Sequence, residues 1–133
     1  MSTRISRCNY LMQGATATTT ASQYLALGNL SHTATFGFVL PANGSIVGLS
    51  LCTTCSVKTT NGNITGQVRV ADNNVYSLTQ TYTGTGTKKS SQTQVAGIDT
   101  FVAGQILSGY INFDTFVGTL SRVWLVVEVE FNI

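Results

Sequence analysis

Cys52-Thr-Thr-Cys55 is the short motif in this chain best equipped for chemistry. Two cysteines at this spacing form a redox pair or half of a zinc site. A zinc site needs two more ligands. The other cysteine, Cys8, and the single histidine, His32, lie well upstream. The motif also falls at the end of a strand pattern, not at a helix N-terminus where a thiolate is stabilised. It therefore reads as small apolar core or strand-end residues. Carboxylate chemistry has only Asp72, Asp99, Asp114, Glu128 and Glu130 to draw on. Glu128 and Glu130 share one face of an extended segment, about 7 Å apart. Glycoside hydrolysis uses paired carboxylates, but a solvated strand end is the simpler reading of this pair. A nucleophilic triad would have to gather around His32, and the chain has no Gly-x-Ser-x-Gly elbow. The inventory argues against an enzyme and implies no cofactor and no metal.

The elements that must hold such residues have to be built with very little charge. Only 9 % of residues are charged, against about a quarter in an ordinary soluble domain. There are 21 Thr, 13 Gly and one Pro. A surface so poor in charge stays wet through Thr, Ser, Asn and Gln, and is expected to be covered in part by neighbouring subunits. The basic residues Arg4, Arg7, Lys58, Arg69, Lys88, Lys89 and Arg122 are scattered. Nucleic-acid binding wants a clustered basic face, so no specific nucleic-acid partner is expected. The longest aliphatic and aromatic run, Val123 to Val127, is far short of the ~20 residues of a membrane span. The opening Met-Ser-Thr-Arg-Ile-Ser-Arg-Cys carries no apolar segment and does not read as a secretion signal. Three cysteines imply no full disulfide framework, which suits folding in a reducing compartment. The sequons at Asn29, Asn43 and Asn63 would matter only in a secreted chain.

Period-2 patterning runs through the sequence. Residues 33–40 place Phe36, Phe38 and Leu40 on one face, and Pro41-Ala42-Asn43-Gly44 supplies a turn. Residues 45–52 point Val47, Leu49 and Leu51 inward. Asn61-Gly62 is a hairpin signal, followed by an alternating strand with Ile64, Val68 and Val70 inward. Asp72-Asn73-Asn74 is a second turn, ahead of a strand over 75–81. Residues 83–93, rich in Gly, Thr and Ser, read as an exposed connector. A strand opens at Phe101 and runs to Phe113. The strand at 122–131 has Val123, Leu125, Val127, Val129 and Phe131 inward. Its other face is apolar at Trp124 and Val126 and charged at Glu128 and Glu130, so it is expected to be covered at its start and wet at its end. Weaker strand signals lie at 8–13 and 23–28. About eight short strands at regular spacing point to a sandwich or barrel.

Three segments in order carry a resemblance: Tyr24-Leu-Ala-Leu-Gly-Asn29, then Phe38-Val-Leu-Pro-Ala-Asn-Gly-Ser-Ile-Val-Gly-Leu49, then Phe101-Val-Ala-Gly-Gln-Ile-Leu107 ahead of the terminal Val-Glu-Val-Glu-Phe. Over residues 23–131 this resembles the small jelly-roll domains of virus and phage fibres, pentons and decoration proteins. It is also similar to the C1q/TNF-like heads of bacterial spore-surface filaments. The chain has no collagen-like Gly-X-Y stalk, which favours the virion over the spore. The resemblance implies an all-β fold, a single jelly-roll β-sandwich with a central terminal strand, and a symmetric homo-oligomer, with a trimer favoured. On this reading residues 1–20 are an arm whose Arg4 and Arg7 anchor a domain over 21–133. Trp124 is a core or subunit-contact residue. Tyr82, Lys88 and Lys89 are exposed loop contacts for an acidic partner, a host glycan or a receptor. The function implied is that of a structural virion protein made in the host cytoplasm, a capsid, decoration or fibre-head component among other capsid or surface-layer proteins. The alternative is a glycan- or receptor-binding module on a virus, spore or cell surface.

Overall fold

The period-2 alternation is realised as antiparallel ladders throughout. The computed structural model describes residues 5–14, 22–27, 30–31 and 37–132. In chain order the strands are β1 (Ile5–Gln13), β2 (Gln23–Tyr24), β3 (Ala26–Leu27), β4 (Leu30–Ser31), β5 (Phe38–Val39), β6 (Gly44–Thr60), β7 (Gly62–Val70), β8 (Asn73–Tyr82), β9 (Gly86–Thr93), β10 (Asp99–Phe101), β11 (Ile106–Asp114) and β12 (Val117–Asn132). Eight of them have three or more residues, and there is no helix among the described residues. The first sheet runs β10-β6-β12-β1-β3-β4, with β9 also on β6. The second runs β2-β11-β7-β8, with β5 also on β11. The two pack face to face as a jelly-roll-like β-sandwich.

Inward side chains of both sheets make one core. Met12, Leu49, Leu51, Val123, Leu125 and Val127 come from the first sheet, and Ile64, Val68, Leu107 and Ile111 from the second. Close approach of the sheets depends on two glycines. A Cβ on Gly109 would strike the Met12 sulfur, and one on Gly66 would lie 3.0 Å from Leu125 Cδ1. The space a side chain would take in the second sheet is thus filled by Met12 and Leu125 of the first.

Several expectations are corrected by the pairing. Residues 5–13 do not form part of an arm: they are β1, paired along their whole length with β12 from Ile5↔Asn132 to Gln13↔Trp124. Asn61-Gly62 closes no hairpin, because β6 belongs to the first sheet and β7 to the second. Gly62 is needed there because a Cβ would run into the backbone at Phe116. The true hairpin is β7–β8, whose turn residues Ala71 and Asp72 both have positive φ, 50° and 65°, as a right-twisted two-residue turn requires. Residues 86–93 are strand β9, registered on β6 from Gly48↔Thr93 to Cys55↔Gly86. Their small polar residues gain order from that ladder rather than from intrinsic propensity. The stretch 101–113 is two strands, β10 and β11, because the chain crosses between sheets through Gly104, at φ 89°. Of the strand expected over 33–40, residues 33–36 lie outside the described residues.

A buried polar network closes the side where β8 passes into β9. Thr53 Oγ1 donates to Gln80 Oε1 at 2.5 Å and lies 2.6 Å from the Tyr82 hydroxyl. Gln80 Nε2 donates to the Leu51 carbonyl at 3.0 Å and to Ser90 Oγ at 3.1 Å. Buried polar groups of this kind are costly when they lose a partner. Gln80→Ala is therefore expected to lower stability by about 1–3 kcal/mol in denaturant melts. Burial raises the Tyr82 phenol above its ordinary pKa, with the Thr53 hydrogen bond acting in the opposite sense. The unfolded phenol ionises first, so the contribution of Tyr82 is complete below about pH 10 and is lost as pH rises from there through the displaced value. Tyr82→Phe should make the fall of thermal midpoint above that pH shallower than in the wild type.

Candidate functional site: the outer face of the first sheet

The same alternation that fills the core exposes a second set of residues on the far side of the first sheet. Strand registers arrange them in rows. One row reads Lys89, Cys52, Trp124, Gln13. The next reads Ser91, Ser50, Val126, Leu11. The third reads Thr93, Gly48, Glu128, Asn9. Trp124 is 45 % exposed and Leu11 42 %, on regular ladder between the β12 irregularities before Arg122 and after Glu128. Arg122, two residues away on the same face, holds its guanidinium 5.1 Å from the Trp124 ring centre. A shallow groove of about 340 Å³ lies beside Trp124, with Ser50, Cys52, Lys89 and Val126 among its walls.

The opposite end of the face is acidic and internally paired. Arg7 Nη1 lies 3.0 Å from Glu128 Oε1, and Nη2 lies 3.2 Å from Glu130 Oε2. The two glutamates do lie on one face, but a single cross-strand guanidinium ties both. The expected order of cover along β12 is therefore reversed. Trp124, at the start, is open, with the Arg122 guanidinium beside its ring. Glu130, at the end, is only 8 % exposed, because β1 carries Arg7 across to it.

The other sequence candidates separate. Cys52 and Cys55 lie inside β6, not at a strand end, and at i, i+3 they fall on opposite faces of the sheet. Cys52 is half-buried beside the groove, and Cys55 is in the core. Tyr82, expected on an exposed loop, is 1 % exposed and held by Thr53. Lys88 and Lys89 alternate across β9: Lys88 Nζ sits 5.4 Å from the Tyr82 ring centre, while Lys89 opens onto the Trp124 groove. Arg4 and His32 lie outside the described residues. Among the described residues, no three His, Cys, Asp or Glu side chains are placed to hold a metal ion, and no helix is long and apolar enough to cross a membrane.

A second cluster was not anticipated from sequence. On the outer face of the second sheet, Arg69 lies 3.8 Å from the Tyr110 ring centre and donates to the Tyr24 hydroxyl at 3.2 Å and to Gln67. Asp72 accepts from Tyr24 and lies 3.4 Å from Arg69. Every one of these groups is used by another, and the result clasps β2 to β11 and to the β7–β8 turn.

Comparison of the chain with protein-family models, curated proteins and solved structures gives no match. The outer face of the first sheet must therefore be read from its own chemistry. It is an uncharged row of Ser91, Ser50, Val126 and Leu11, with Trp124, Lys89 and Arg122 to one side and Glu128 and Glu130 to the other. Burial raises the Cys55 thiol pKa, with a Val57 backbone hydrogen bond and Lys58 acting against the shift. Iodoacetamide on the native protein should modify Cys52 and leave Cys55 untouched until the protein is unfolded, as read by peptide mass spectrometry.

Proposed function

We propose that this chain is a non-enzymatic structural component of a virus or phage particle. In this reading it is a capsid, decoration or fibre-head protein that assembles as a symmetric homo-oligomer through the outer face of its first sheet. One observation carries the assembly part: Trp124, the single tryptophan, is 45 % exposed beside the uncharged row of Ser91, Ser50, Val126 and Leu11. Exposed apolar patches with polar rims mark interaction sites. Interface centres are poor in charge and rich in aromatic residues and Arg, and Trp and Arg recur among the residues that dominate binding.

The virion part rests on broader support. The β-sandwich fold is the one the three sequence segments imply. The charge content is low enough that covering by neighbouring subunits is a physical advantage. Symmetric closure is the usual form of such covering. Partners would then be copies of this chain and other shell proteins.

Light scattering after size exclusion tests the assembly. The expected mass is a whole multiple of the chain mass, rising with concentration. Trp124→Glu should return a monomer with the strand signature and thermal midpoint unchanged. A wild-type chain that stays monomeric over the whole concentration range would sink the reading.

A further inference from the structure

We propose that the outer face of the first sheet is self-complementary: two copies pack it face to face about a two-fold axis across the Val126 row, each seating Trp124 over Gly48 of the other. This rests on the assembly reading above and specifies its contact.

The face carries a knob and a notch. The knob is Trp124. The notch lies over Gly48, where a missing side chain leaves about 220 Å³ between Asn9, Ser91, Thr93, Val126 and Glu128. Its lining is mixed, with Val126 set against Asn9, Ser91, Thr93 and Glu128, which suits an indole, whose ring is apolar and whose N–H seeks an acceptor. A two-fold contact requires each feature and its complement on the same surface. Here they lie four residues apart on both strands, Cys52 to Gly48 on β6 and Trp124 to Glu128 on β12, or about 13 Å at strand rise. The Ser50 and Val126 row lies midway. An axis in the plane of the face, passing midway between Trp124 and Gly48 and tilted about 20° from that row to allow for the ~4.8 Å between β12 and β6, lays Trp124 of each copy over Gly48 of the other.

Charge follows the same symmetry. Lys89 and Arg122 flank the knob, giving two positive charges. Beside the notch one arginine, Arg7, faces two glutamates, Glu128 and Glu130, leaving one net negative charge. Turned end for end, each cationic end meets an acidic end, an arrangement that sets orientation and register. Four strands at ~4.8 Å and about eight residues of strand give a footprint of about 500 Å² per copy. The total of about 1,000 Å² is at the lower limit for a specific interface. The pair should therefore be concentration-dependent rather than permanent.

Sedimentation of two variants tests the geometry. Trp124→Ala removes the knob. Gly48→Leu fills the notch; a Cβ there lies 3.3 Å from Glu128 Cβ, so Glu128 must give by a few tenths of an ångström to admit it. Each variant alone should weaken the dimer about tenfold or more. An equimolar mixture should recover dimer, because one intact knob and notch remain and Ala faces Leu at the other. Gly48→Ala, a milder filling, should fall between wild type and Gly48→Leu, and serves if the leucine variant does not fold. If Trp124→Ala weakens association while both Gly48 variants do not, the knob does not enter the notch and only the broader assembly reading survives. A wild-type trimer also overturns the two-fold pairing alone. A wild-type monomer overturns both.

Discussion

The pairing of β6 with β12 is the interaction on which the rest of the structure depends. It joins Gly44–Thr60 to Val117–Asn132, the two longest strands of the chain. In an antiparallel ladder successive side chains alternate between faces, so setting this register assigns Leu49, Leu51, Leu125 and Val127 to the core and Ser50, Cys52, Trp124 and Val126 to the outside at once. β1 then adds to the free edge of β12, and β9 and β10 to the free edge of β6. A one-residue slip would exchange the two sets and bury Trp124 and Glu128.

That division explains how a chain with so few charges stays organised. The core needs none. The buried polar network among Thr53, Gln80, Tyr82 and Ser90 is satisfied by neutral groups and lies where the two sheets exchange a strand connection. The available charges are concentrated on the outer faces, where each serves geometry. Arg7 ties β1 to two positions of β12, and Arg69 ties β2 to β11 through two tyrosines. Exposed ion pairs of this kind add little to stability on their own. Their value here is in fixing short or terminal strands in place, which leaves the Val126 row flanked by charge but free of it.

Much of the fold was legible in the sequence because alternation reports burial directly. The inward sets of β6, β7 and β12 read true at Leu49, Leu51, Ile64, Val68, Val70, Val123, Leu125, Val127, Val129 and Phe131. What failed were features whose meaning depends on the partner. Asn61-Gly62 has hairpin chemistry, yet here the turn carries the chain from one sheet to the other past Phe116. Residues 86–93 have only Thr87 and Thr93 as strand formers, and their order comes from pairing on β6. Tyr82 follows a polar run and precedes a glycine-rich one, so its sequence neighbours suggest exposure, while its actual neighbours are Thr53 and Phe116.

The candidate site divides along the same line. The sequence by itself determined that Trp124 and Val126 lie opposite the core on β12, and that Glu128 and Glu130 share their side, because these are consequences of a two-residue period within one strand. Only the tertiary structure decided that Cys52, Lys89, Gly48 and Leu11 lie beside them, that Arg7 neutralises the acidic end, and that Trp124 stays open. Those facts depend on register between strands that are distant in the chain, and register is set by cross-strand packing that no local pattern records.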